Sequence, residues 1–192
     1  MLFISNPKKS QTDEELKRTT QNWLLDDFKY QLFITIEPLY SFPMSDDEIR
    51  NRLRTIEFLL CKEFLSSKFS LFKDEDRFWY VGFFHGERCT RERHTHICLT
   101  IPYHKFNKEK HIKITDDEKN ELVKKKFLDE WFSLGSYYSI GDKHNPKLIE
   151  KQVPNPHILD LKDKNESTRS VVYSSRQIGE VEQYEDFYFS RT

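Results

Sequence analysis

No apolar run in this sequence approaches the roughly 20 residues needed to cross a bilayer, and the opening Met1-Leu2-Phe3-Ile4-Ser5 is too short for a secretory core. A soluble, intracellular protein is expected. Cysteine is scarce: Cys61, Cys89 and Cys98 are odd in number and lack paired ligand spacing, which fits reduced thiols rather than a disulfide framework. Five glycines and no Gly-x-x-x-x-Gly-Lys leave no nucleotide cradle. Positive charge is not in excess either. A net charge of −1 argues against holding nucleic acid by bulk charge, although charged residues are 33% of the chain and unevenly placed.

What is present is 192 residues rich in Phe, Tyr and Trp, enough for one domain with a compact aromatic core. Residues 1–22 are polar and read as a flexible arm, with the domain following over 23–192 and a short helix near Trp23. Tyr30 to Ile36 is aromatic and β-branched and stops at Glu37-Pro38, which predicts a strand in the middle of a sheet. Ser45-Asp46-Asp47-Glu48 is a capping box. With Ile49, Leu53, Ile56, Leu60 and Phe64 at helical spacing, it predicts a helix to about residue 65. Arg77 to His85 and His94 to Ile101 read as a hairpin with a long polar loop. A second capping box at Thr115 opens an amphipathic helix bearing Leu122, Val123, Phe127, Leu128, Trp131 and Phe132. Residues 136–155 read as a loop, Pro156 to Leu161 as a strand, Asn165 to Gln177 as a helix and Phe187 to Phe189 as an edge strand. The order predicts an α+β fold: a central antiparallel β-sheet with flanking helices, carried on one face in the ferredoxin or RNA-recognition manner.

Chemistry concentrates in two places. In His94-Thr95-His96, strand alternation puts both imidazoles on one face, where they can grip a divalent ion. If residues 85 and 94 close the hairpin, His85 faces His94 and offers a third ligand; Glu87, two residues into the loop, is the alternative. Such a site with open positions could hold Mg, Mn or Zn, and phosphate chemistry would favour the first two. The second place is Arg169 to Gln177, where Arg169, Arg176 and Gln177 share a helix face with Tyr173 while Val171 and Val172 turn toward the packed side. A phenol attacking phosphorus needs its charge stabilised and the phosphate polarised, roles suited to arginine and a metal ion. His104 to Lys113, including Lys105, Lys108 and Lys110 beside Tyr103 and Phe106, interleaves cations and aromatics in a way that suits single-stranded nucleic acid; a solvated loop and helix face is the alternative.

Taken together and in this order, the motifs resemble the HUH endonucleases of the rolling-circle replication initiator (Rep) type. Phe33-Ile34-Thr35-Ile36 is like that family's first motif, His94-Thr95-His96 like the motif that names it, and Tyr173-Ser174-Ser175-Arg176 like its Tyr-x-x-Lys nucleophile motif. Val81-Gly82 to Gly86 resembles the viral Rep pattern in which a glutamate precedes the glycine; His85 stands there instead, and Arg176 replaces the lysine. The resemblance implies a Mn- or Mg-dependent, site-specific single-stranded DNA endonuclease that initiates rolling-circle replication through a 5′-phosphotyrosine. In it Tyr173 would be the nucleophile, Arg176 its partner, His85, His94 and His96 the metal ligands, and Arg169, Gln177, Lys105, Lys108 and Lys110 DNA contacts. Implied partners are single-stranded DNA at an origin and a host replication helicase or polymerase, with no membrane, in a prokaryotic cytoplasm or, for a eukaryotic virus, a nucleus. A single-strand transposase and a non-catalytic binding module are the alternatives.

Overall fold

The computed structural model describes residues 11–26, 28–37, 44–66, 68–86, 94–107, 114–134, 136–140, 147–151, 154–177 and 187–189. Among these, helices α1 (Gln11–Asp26), α2 (Asp46–Leu60), α3 (Asp116–Ser133) and α4 (Lys164–Ser174) accompany strands β1 (Leu32–Ile36), β2 (Trp79–His85), β3 (His94–Thr100), β4 (Ser136–Ile140), β5 (Lys147–Lys151), β6 (His157–Asp160) and β7 (Phe187–Phe189). No helix of the described residues is long and apolar enough to cross a membrane.

Five strands form one antiparallel sheet in the order β6-β1-β3-β2-β7. β3 is central. The expected hairpin closes with His85 opposite His94, and β1 lies beside β3 with Thr35 opposite His96.

Both capping boxes form: Ser45 and Thr115 Oγ atoms accept from Glu48 and Glu118 N–H at 3.2 Å each, while those glutamates reach back to the cap N–H. They start α2 and α3 with acidic residues at the positive end of the helix dipole. Ile49, Leu53, Ile56 and Leu60 of α2, followed by Phe64 in a single π-turn, bury against Leu32, Ile34, Ile36, Ile97 and Leu99. On α3 the buried stripe is Val123, Phe127 and Trp131; Leu122 and Phe132, expected in it, are exposed, because the i, i+4, i+8 spacing excludes them. Arg52 ties the two helices by donating to the Trp131 carbonyl, its guanidinium 5.1 Å from the indole centroid.

Helices cover both faces, not one. Alternation sends Phe33, Trp79, Val81, Phe83 and Cys98 the other way, where they pack with Leu24 of α1 and Val171 of α4. All seven residues of β2 are buried, the signature of a strand covered on two sides. Two further expectations are corrected. Residues 11–22 are not a loose arm but most of α1, anchored by the fully buried Leu24, and 136–155 is not all loop, since β4 and β5 pair as a two-stranded sheet. Cys61 and Cys98 are buried thiols, one in each core, and burial raises both pKa values; Cys89 and residues 1–10 lie outside the described residues.

On the α2/α3 face, Tyr188 of β7 lies opposite Gly82 with its ring folded over that glycine, stacked 5.0 Å from Phe84 and edge-on to Tyr80. A Cβ on Gly82 would overlap the ring. Gly82→Ala should therefore expel Tyr188 and loosen β7, at a cost of about 2 kcal/mol. That corresponds to a thermal midpoint roughly 4–8 °C lower by calorimetry; an unchanged midpoint would show that the ring does not hold the edge strand.

Candidate active site

β3 and β2 deliver the three imidazoles to the α1/α4 face of the sheet. His94 and His96 are two residues apart on β3, and His85 is paired directly with His94. Ring centroids lie 4.9 Å apart for His85–His96 and His94–His96 and 5.2 Å for His85–His94. One nitrogen from each ring falls within 4.8 Å of the other two. His85 and His96 are buried and His94 half-buried. This is a group of borderline nitrogen donors on two paired strands, with His94 the most exposed of the three.

Each buried ring is held by a partner. His85 Nε2 lies 2.7 Å from the Ser174 carbonyl, which can only accept, so Nε2 carries the proton and Nδ1 the lone pair. His96 Nδ1 lies 3.1 Å from Thr35 Oγ1, its ring is stacked 5.2 Å from Phe33, and its Nε2 is buried without a hydrogen-bond partner among the described residues. An orphaned nitrogen on a ring whose centroid lies 4.9 Å from those of two other imidazoles is chemically suited to a divalent cation.

Burial, the two neighbouring imidazoles and the Arg176 charge lower the pKa of His96 to about 3. His96 is thus neutral, the form a metal ligand needs. It also binds a proton more readily unfolded, near 6.5, than folded. Its contribution to stability should fall from pH 6.5 downward by on the order of 1 kcal/mol per pH unit until the folded pKa is reached. Urea unfolding of metal-free protein at pH 7, 5.5 and 4.5 checks this: His96→Leu should show a shallower decline, and an equal slope would contradict the burial argument.

α4 supplies the phenol. Asp163 caps it through the N–H groups of Asn165 and Glu166, and Val171 buries it on the sheet. Tyr173 is left 46% exposed, with its ring centroid 5.2 Å from that of His96 and 6.3 Å from that of His85. The Arg176 guanidinium carbon sits 4.4 Å from the Tyr173 centroid. Val172, expected on the packed side, is exposed instead.

The structure therefore gathers His85, His94, His96, Tyr173 and Arg176 on one face. Arg169 is exposed on α4, one turn before Tyr173. Lys105 does not join them: it lies beyond the opposite end of β3, its ammonium 3.0 Å from Asp76 and over the Phe72 ring. Lys105 is close to the His strand in sequence, but the strand itself carries it away. Gln177 ends a 3-10 turn after α4, and its side chain, like Glu87, Lys108 and Lys110, is outside the described residues.

Residues not anticipated complete the surroundings. Gln21 of α1 donates to Ser175 Oγ at 2.8 Å and Lys17 donates to the Arg176 carbonyl, so α1 clamps the end of the tyrosine helix. The 17, 21, 24 spacing showed one helical face; nothing in it showed what that face would meet. No protein-family model matches the chain, and no curated protein or solved structure matches it significantly.

Proposed function

We propose that this chain is a metal-dependent endonuclease of single-stranded DNA that nicks at a replication origin and keeps the broken strand as a 5′-phosphotyrosine. What carries the reading is the meeting of a half-exposed phenol, a guanidinium and three imidazoles on one face: the Tyr173 ring is 5.2 Å from His96 and 4.4 Å from the Arg176 guanidinium carbon.

His85, His94 and His96 would hold the cation. When bound, Mn or Mg supplies Lewis-acid polarisation of a phosphate oxygen. Tyr173 is the nucleophile: its hydroxyl proton leaves to solvent as the phenolic oxygen bonds to phosphorus. The bond from phosphorus to the 3′ oxygen breaks, and that oxygen takes a proton from water. The products are a free 3′-hydroxyl and a 5′-phosphate esterified to Tyr173. Arg176, over the ring, favours the developing phenolate and meets the phosphate charge. Arg169, one turn away, offers a further cation to the DNA backbone. One phosphodiester is exchanged for another, so the reverse step rejoins ends without a nucleotide.

The test uses a pool of single-stranded oligonucleotides labelled at the 3′ end, since a 5′-phosphotyrosine retains that fragment. Expected is a label that stays with the protein through denaturing electrophoresis, formed with Mn or Mg and lost in EDTA. Binding of the pool without any covalent label would refute the cleavage reading.

A further inference from the structure

Thr35 is the polar residue of Leu32-Phe33-Ile34-Thr35-Ile36, and its hydroxyl touches a candidate ligand rather than a backbone group. It lies directly opposite His96, so the two side chains rise from the same face of adjacent strands. Phe33, two residues earlier, packs flat against the imidazole. A flat hydrophobic contact holds the plane of a ring but cannot distinguish its nitrogens; a hydroxyl at one nitrogen can.

A neutral imidazole has one N–H and one lone pair. The lone pair needed for a cation must be at Nε2, because Nε2 is the buried nitrogen without a hydrogen-bond partner among the described residues, while Nδ1 faces Thr35. We propose that Thr35 is a positioning residue that accepts the Nδ1–H of His96 through Oγ1 and so fixes the tautomer presenting Nε2 to the metal. The proposal rests on the metal-binding reading above. His85 obeys the same logic with its nitrogens reversed, its Nε2–H committed to the Ser174 carbonyl and Nδ1 left to coordinate. One ligand is thus oriented by the sheet and another by the backbone of the tyrosine helix, next to the nucleophile. Hydrogen-bonded partners of ligating histidines orient the ring and raise its basicity, and their removal weakens metal affinity by about 10–100-fold.

The experiment measures Mn binding by isothermal titration calorimetry in full-length wild type, Thr35→Val and Thr35→Ser, with imidazole tautomers followed by nitrogen NMR in metal-free protein. Thr35→Val should bind Mn about 10–100-fold more weakly, with metal-free thermal unfolding close to wild type, and should lose the Nδ1–H form of His96. Thr35→Ser, which keeps the hydroxyl, should restore both. Thr35→Ala gives the same comparison should valine disturb the strand. Wild-type affinity in Thr35→Val, or equal loss in Thr35→Ser, overturns the role of the hydroxyl. Absence of Mn binding in the wild type overturns the metal-binding reading itself, so the two failures are separate.

Discussion

Tyr173→Phe should reduce covalent capture of 3′-labelled single-stranded DNA by at least about 10³-fold, because it removes the oxygen proposed to attack and nothing else. The ring contacts with His96 and the Arg176 guanidinium belong to the aromatic system and survive the substitution. The hydroxyl sits on a side chain 46% exposed, so its loss leaves stability almost unchanged. Metal binding and non-covalent DNA affinity should therefore stay within about two-fold of wild type, below the ~1.4 kcal/mol that a ten-fold change requires. Four other tyrosines are poor substitutes. Tyr30 and Tyr80 are buried in the two cores with pKa values driven up by burial, Tyr103 lies beyond the far end of β3 with its pKa pushed up to about 12, and Tyr188 covers Gly82 on the opposite face. Persistence of the adduct in Tyr173→Phe would move the nucleophile elsewhere and dissolve the link between α4 and the imidazoles.

The parts of this site that strand alternation controls were legible in the sequence. A period of two fixes which side chains share a face, so His94, His96 and, through the hairpin, His85 follow once the pairing is assigned. Capping boxes are local chemistry and announced α2 and α3 for the same reason. Assignments that depended on tertiary contact were less legible. α1 is polar nearly throughout, with Leu16 and Trp23 exposed, and it joins the fold mainly through Leu24 and two hydrogen bonds to the end of the tyrosine helix. β4 and β5 are five residues each and pair with one another, outside the main sheet. The second covered face was present in the uninterrupted apolar run of β2, which a sheet with one solvated side would not tolerate. Lys105 follows the His strand in sequence, but an extended strand gains about 3.3 Å per residue, so a residue beyond its far end is carried away from the imidazoles.

His96→Leu should separate the stability of this protein from its metal response. In the metal-free chain His96 is a desolvated imidazole, 5% exposed, with a buried nitrogen that no described group satisfies. An apolar side chain of similar size removes that cost while keeping contact with Phe33, so the metal-free thermal midpoint should hold or rise by a few degrees. Thr35 gives up its partner but is only half-buried, and water can replace it. The metal response moves the other way. A ligand at 100 times its Kd stabilises by about 2.7 kcal/mol, which in a domain of this size raises the midpoint by roughly 5–11 °C. Wild type should show that rise with Mn, and His96→Leu should show almost none, so the two melting curves cross in rank when the ion is added. A Mn-induced rise of equal size in both proteins would mean that the ion binds away from the three imidazoles. A metal-free midpoint well below wild type would instead make His96 a structural residue of the sheet, its orphaned nitrogen satisfied by something other than a cation.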